Sequence, residues 1–245
     1  MKKKRLFDLI LGICIFGLIS PLILFFSILI FCYDRSSPLF ISLRIGKNGE
    51  KFKIYKIRTM VINADKLGGT STKKSDKRLL PMGNLIRKLK LDELTQIINV
   101  INGSMSFVGP RPNTPFDVNL YSNKEKILLS IKPGITDFSS IVFADEGDIL
   151  DAYDDPDLAY NQLIRPWKSK LGLFYIKHSC LKLDMQLIVL TILNSISRKK
   201  TLNIISSIIK KYKGSTELIE ISKRRLKLVP SSPPGFNHPI QKIYN

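Results

Sequence analysis

The chain has 245 residues, enough for one domain of ordinary size with a buried core and an appendage. Its 39 Lys and Arg against 20 Asp and Glu give a formal charge of +19, which points to an anionic partner: nucleic acid, anionic lipid or a phosphorylated substrate. Three scattered cysteines argue against a disulfide framework, and two histidines against a His-ligated zinc site or a Ser-His-Asp relay, so acid–base work falls to carboxylates.

Lys2, Lys3, Lys4 and Arg5 precede an apolar run from Leu6 to Tyr33 that is charged only at Asp8. The run is long enough to span a membrane. It is too long for a cleaved signal peptide, and no A-x-A-like site closes it. Two features favour a re-entrant helix over a simple span. Ser20-Pro21 sits mid-run, where proline removes a backbone donor and kinks a helix, and in lipid an adjacent serine can serve the freed carbonyl. Basic residues flank both ends, with Arg35, Arg44, Lys47, Lys51, Lys53, Lys56 and Arg58 following the run. A span concentrates them on one side. A helix–break–helix hairpin over residues 1–33, with both ends at one leaflet, is therefore expected; a spanning anchor is the alternative.

Residues 38–62 read as extended and turn structure, with a turn at Gly46-Lys47-Asn48-Gly49 and a short alternating strand through Phe52, Ile54 and Lys56. Residues 63–80 are polar and Gly/Ser/Thr/Lys-rich, which reads as a mobile surface loop, either able to close over a ligand or simply a loop. Helical periodicity returns with Leu85, Ile86 and Leu89, then with Leu94, Ile97, Ile98 and Ile101 at i, i+3, i+4, i+7. The phase breaks at Lys90-Leu91, which puts Asp92 and Glu93 in the first turn of a second helix. Acidic side chains there cap the helix by default. The same field keeps carboxylates ionised, as a nucleophile or metal ligand requires. Asn102-Gly103 ends the helix, and Ser106-Phe107-Val108-Gly109 leads into the stiff Pro110-Arg111-Pro112 corner.

Residues 116–131 read as one helix stopped by Pro133-Gly134. Seven acidic side chains over 145–157 lack the EF-hand spacing. They read as a solvated acidic face meeting the basic body rather than a metal site. Residues 158–198 read as two helices, whose apolar stretch, Lys content and Trp167 suit interfacial contact with lipid. Over 199–245 a short basic amphipathic helix through Ile204, Ile205, Ile208 and Ile209 leads to a Pro- and Ser-rich end expected to be unstructured.

Several stretches together resemble the bacterial sugar transferases, the monotopic phosphoglycosyl transferases that start glycan assembly on polyprenyl phosphate. They are the apolar run with Ser20-Pro21, FKIYKIRTM at 52–60, GNLIRKLKLDELTQIINVINGSMSFVGPRP at 83–112 and KPGIT at 132–136. The resemblance covers residues 1–198, and the LDEL–GSMSFVGPRP combination is its most specific part. It implies a mainly α fold with a small β element: one membrane-associated domain with an N-terminal re-entrant hairpin and a catalytic region over 34–198. It also implies a two-step exchange. Asp92 attacks the β-phosphate of a UDP-sugar, releasing UMP, and undecaprenyl phosphate then takes the sugar-phosphate from the carboxylate. Glu93 completes the dyad, binding Mg2+ with Asp92 or taking up a proton, while Lys56, Arg87 and Arg111 hold phosphate. The expected place is the inner leaflet of the bacterial cytoplasmic membrane, with the catalytic region on the cytoplasmic face, no nucleic-acid partner and a homodimer allowed. The sequence departs from the commonest family pattern at Thr95 (proline), Lys90 (serine) and Ser42 (glutamine). The largest departure is DFSSIVFADEGDIL after KPGIT, which leaves the sugar open; an N-acetylated amino sugar is the expectation. A catalytically silent membrane scaffold of the same fold is the alternative, and intact Asp92, Glu93 and Arg111 count against it. A membrane-anchored nucleic-acid binder explains the charge but lacks any base-reading motif.

Overall fold

The computed structural model describes residues 2–64, 67 and 76–241. The larger part of the loop expected over 63–80 lies outside the described residues. The apolar run forms α1 (Lys2–Asp34), roughly 50 Å long at 1.5 Å per residue. Among the described residues it is the one helix long and apolar enough to cross a membrane. The break expected at Ser20-Pro21 is absent, and the helix runs on through Pro21. Pro21 cannot donate to the Gly17 carbonyl; Ser20 Oγ donates to it instead at 3.2 Å, so no acceptor is orphaned.

One face of α1 lies along the body. Leu11, Ile15, Phe16 and Ile19 pack on the main core, while Phe26 and Ile30 join a second cluster with Ile57, Leu80 and Ile86. The opposite face leaves Leu6, Ile10, Ile13, Leu18, Leu24, Phe25 and Ile28 exposed. Both ends are tied down. Lys4 Nζ reaches Asp184 at 2.7 Å and donates to the Val108 carbonyl at 2.9 Å, and Arg5 Nη2 donates to the Ile101 carbonyl at 2.6 Å. Asp8 accepts from Ser106 Oγ at 2.8 Å. At the other end Asp34 takes a two-pronged contact from Arg58, both bonds 2.6 Å.

β1 (Leu39–Ile45) and β2 (Lys51–Ile57) form the antiparallel hairpin that the turn residues announced. The outer edge of β2 is served by side chains: Thr95 Oγ1 donates to the Tyr55 carbonyl at 2.8 Å, and Asn99 Nδ2 to the Lys53 carbonyl at 2.7 Å. Those bonds set the strand against the segment that carries Asp92 and Glu93, and they give Thr95 a task that proline could not perform. That segment follows α2 (Gly83–Lys88). The predicted break is real: Lys90 adopts a left-handed backbone, φ 54°. Asp92 and Glu93 then sit on a 3-10 turn (Leu91–Gln96) rather than in an α-helical turn, and α3 (Ile97–Asn102) ends at Gly103, φ 89°.

β3 (Ser106–Val108) pairs in parallel with β4 (Gly134–Thr136), bringing the SFVGPRP and KPGIT motifs together. Backbones meet so closely that a Cβ on Gly134 would lie 2.1 Å from Gly109 N, and one on Gly109 2.4 Å from the Lys132 carbonyl oxygen. Only glycine fits either place. The single helix expected over 116–131 is instead α4 (Pro115–Asn119) and a 3-10 turn (Glu125–Ser130). Glu125 is wholly buried. It accepts from Arg165 and Ser169 and from the Ser122 N–H, and the chain restarts at this buried anchor.

The remainder is helical: α5 (Phe138–Val142), α6 (Glu146–Asp151), α7 (Pro156–Ala159), a π-turn (Tyr160–Ile164), α8 (Arg165–His178), α9 (Leu181–Ile196), α10 (Arg198–Lys211) and α11 (Thr216–Lys223). α9 is apolar on two sides: Leu183, Leu187 and Leu190 are buried, while Leu181, Met185, Val189, Ile192 and Ile196 form an exposed stripe. α10 buries Leu202, Ile205, Ile208 and Ile209 in the main core. Beyond α11 the described chain has no helix or strand. It is nevertheless held against the π-turn, through Ser231 N–H to the Gln162 carbonyl at 2.9 Å and Gln162 Nε2 to the Ile240 carbonyl at 2.8 Å.

Candidate active site

The 3-10 turn puts consecutive carboxylates at the floor of a cleft of 1610 Å3, beyond the ~300–1,000 Å3 of a typical small-ligand pocket. Lys56 comes from β2, Arg87 from α2 and Arg111 from the proline corner; all three line that cleft with Asp92 and Glu93. Of the predicted site residues, those five are brought together. Ser20 and Pro21 are not among the lining residues.

The dyad is not symmetric. Arg111 grips Glu93 with both prongs, Nη1 donating to Oε2 at 3.1 Å and Nη2 to Oε1, and Lys56 Nζ stands 3.5 Å from Oε1. Burial alone would raise the Glu93 carboxyl, but Arg111, Lys56 and Lys90 outweigh it and hold Glu93 well below the usual carboxylate range. Asp92, 9% exposed, has no ion-pair partner among the described residues. Burial pushes its carboxyl up, and the adjacent Glu93 charge adds to the rise against Lys56, Arg87 and Arg111. Arg87 spends its Nε on Thr59 Oγ1 at 2.9 Å. The cations bear a cost as well: burial lowers Lys56, Lys90 and Arg87, partly offset by the two carboxylates, and lowers Arg44, partly offset by Asp117 and Glu93. Cations crowded into a half-dry cleft are a receptacle for several negative charges at once.

Sequence reasoning missed part of the surroundings. Arg44, on β1, joins the cationic lining, as does Lys90, whose place just before the carboxylate pair in sequence already set it beside the site. Lys4, Arg5 and Asp8 brace the motif from α1; the one signal was a lone acid inside an apolar run, which lipid would not tolerate and a buried hydrogen bond explains. The acidic stretch 145–157 meets basic groups as expected: Glu146 pairs with Lys168, and Asp145 with Arg198 and Arg224. Among the described residues no three His, Cys, Asp or Glu gather to hold a metal. A Mg2+ ion keeps several waters and needs only one or two carboxylates besides substrate phosphate, and an unpaired Asp92 carboxylate at the floor of the cleft fits that demand.

A sequence model of the bacterial sugar transferase family matches residues 1–198. The chain is 32% identical over 192 residues to a UDP-N-acetylgalactosamine-undecaprenyl-phosphate N-acetylgalactosaminephosphotransferase of Aeromonas hydrophila, covering 77% of this chain and 42% of that one. It is 34% identical over 193 residues to an uncharacterized sugar transferase of Bacillus subtilis, covering 78% of this chain and 86% of that one. It is 34% identical over 141 residues to the UDP-glucose:undecaprenyl-phosphate glucose-1-phosphate transferase of Escherichia coli, covering 56% of this chain and 30% of that one. The matched stretch is thus less than half the length of the Aeromonas and Escherichia relatives.

Proposed function

The chain belongs to the bacterial sugar transferase family, and we propose that it transfers a sugar-1-phosphate from a UDP-sugar to undecaprenyl phosphate. In the first step an Asp92 carboxylate oxygen attacks the β-phosphorus. The bond from that phosphorus to the bridging oxygen breaks, and UMP leaves with the electron pair. In the second step a phosphate oxygen of undecaprenyl phosphate attacks the same phosphorus, the bond to Asp92 breaks, and the carboxylate is regenerated. The observation that carries this reading is the asymmetry of the dyad. Arg111 and Lys56 are committed to Glu93, so Asp92 is buried, without an ion-pair partner among the described residues, and available as a nucleophile. Of the three cations expected on phosphate, Lys56 and Arg111 act from their places on Glu93, and Arg87 faces the diphosphate with Lys90 and Arg44, Arg by paired hydrogen bonds and Lys as a point charge. Mg2+, held by Asp92 together with phosphate oxygens, with Glu93 beside them, would supply further neutralisation of the transferring group.

The donor is expected to be an N-acetylated amino sugar, as in the name of the Aeromonas relative, though the Escherichia relative's name carries glucose. The product would start a surface polysaccharide or a glycoprotein glycan. Both ends of α1 grip one folded body, which supports a helix that meets the bilayer from the cytoplasmic side and does not cross it. The exposed apolar faces of α1 and α9 supply the contact. Purified protein given labelled UDP-sugars, Mg2+ and undecaprenyl phosphate is expected to release UMP and to form a trappable phosphosugar adduct. Turnover that survives Asp92→Asn rules the mechanism out. For topology, in a chain whose exposed Cys14, Cys32 and Cys180 are first replaced by serine, cysteines placed at Lys2 and Arg35 should both react with an impermeant maleimide only in inverted vesicles; labelling on opposite sides means a span.

A further inference from the structure

The family match ends at Arg198, yet two arginines at and beyond that point reach back to one carboxylate. Arg198 Nη2 lies 2.8 Å from Asp145 Oδ1, and Arg224 Nη2 lies 3.3 Å from Asp145 Oδ2. Arg198 also donates to the Val142 carbonyl at 3.1 Å, and the Arg224 guanidinium sits 5.1 Å from the centre of the Phe143 ring. Val142 ends α5, and Phe143 and Asp145 lie in the short turn between α5 and α6. The next residue, Glu146, pairs with Lys168, and Phe143, Asp145, Glu146 and Lys168 all line the cleft.

A second observation concerns the backbone. Arg224 caps α11 in the left-handed conformation, φ 51°, where glycine is favoured and any side chain is strained. From that cap its side chain reaches Asp145. The sugar of the donor hangs from the phosphorus that Asp92 attacks, so it must lie in the cleft next to the dyad. Glu146 is near enough for its charge to act on Arg111.

We propose that the C-terminal extension positions the donor-facing wall of the active site: Arg224 and Arg198 hold the 142–146 turn through Asp145, and that turn sets where Glu146 and Lys168 stand against the sugar. The effect on the donor rests on the phosphoglycosyl transferase reading; the clamp itself does not.

The test uses the full-length protein and the variant Arg224→Gly, which removes the side chain while relieving the strained cap, with Arg224→Lys as partial rescue. Amide exchange over 142–148 is expected to quicken about tenfold in Arg224→Gly while 91–102 exchanges as in the wild type. KM for the preferred UDP-sugar should rise about fivefold with kcat changed less than about twofold, and discrimination between UDP-sugars should narrow. Unchanged exchange over 142–148 overturns the clamp. Faster exchange with unchanged KM and unchanged discrimination overturns its action on the donor. If the wild-type protein turns over no UDP-sugar, the functional reading fails, and the exchange result still decides the clamp.

Discussion

Two Asp-Glu dipeptides, Asp92-Glu93 and Asp145-Glu146, line the same cleft and meet different fates. In the second, each carboxylate has its own cation: Arg198 and Arg224 for Asp145, Lys168 for Glu146. In the first, both close cations go to Glu93, and Asp92 is left buried beside a like charge with no ion-pair partner among the described residues. The lesson is that an acidic pair becomes reactive through unequal allotment of cations and water, which pushes its two members apart in proton affinity.

The sharpest way to break this contrast is Asp92→Asn. UMP release is expected to fall by at least about 10³-fold, with loss of the phosphosugar adduct, because the covalent route closes. The same change should raise Tm. The sign follows from the raised carboxyl: the folded chain holds that proton more tightly than the unfolded chain does. Ionisation therefore costs stability as pH rises from the unfolded value through the folded one, and the cost persists above it. Asparagine removes that cost. A thermal scan at pH 7.5, about the pH of such assays, showing a lower Tm would contradict it.

Next in size is Arg111→Lys. A point charge cannot reproduce the two-pronged grip on Glu93, so kcat/KM should drop by about 10²-fold in steady-state assays. The pH profile of kcat/KM sharpens the contrast further. Its acid limb should lie above the ordinary aspartate value of about 3.9, as Asp92 loses its charge there, while Glu93 stays ionised throughout. A limb at or below that value would mean Asp92 is not the titrating group. The smallest effect is expected from Glu146→Gln: an increase of a few-fold in donor KM with adduct formation intact. Loss of the adduct would make the two dipeptides alike after all.

Much of this was legible from residue order. The i, i+3, i+4, i+7 pattern through Leu94, Ile97, Ile98 and Ile101 required a helix, the phase slip required a break at Lys90, and Gly103 required a stop. Each is a local effect of side-chain period or of one residue's backbone freedom. The helix expected over 116–131 failed for the opposite reason. No local signal marked an interruption, but Glu125 is drawn into a buried contact with Arg165, forty residues away, and the chain restarts around it. At Pro21 the helix assignment runs on without the expected break, with Ser20 Oγ donating to the Gly17 carbonyl.

The sequence by itself determined that this chain carries an apolar N-terminal helix, a β-hairpin and a carboxylate pair ahead of a rigid arginine corner, since period, proline and glycine act over a few residues. Only the tertiary structure decided which carboxylate would be left unpaired, that Thr95 and Asn99 would serve the edge of β2, and that the extension past Arg198 would fold back onto Asp145. Those outcomes depend on which charges and backbone edges arrive together from distant parts of the chain. No local pattern encodes that meeting, because burial and charge pairing are properties of the assembled core.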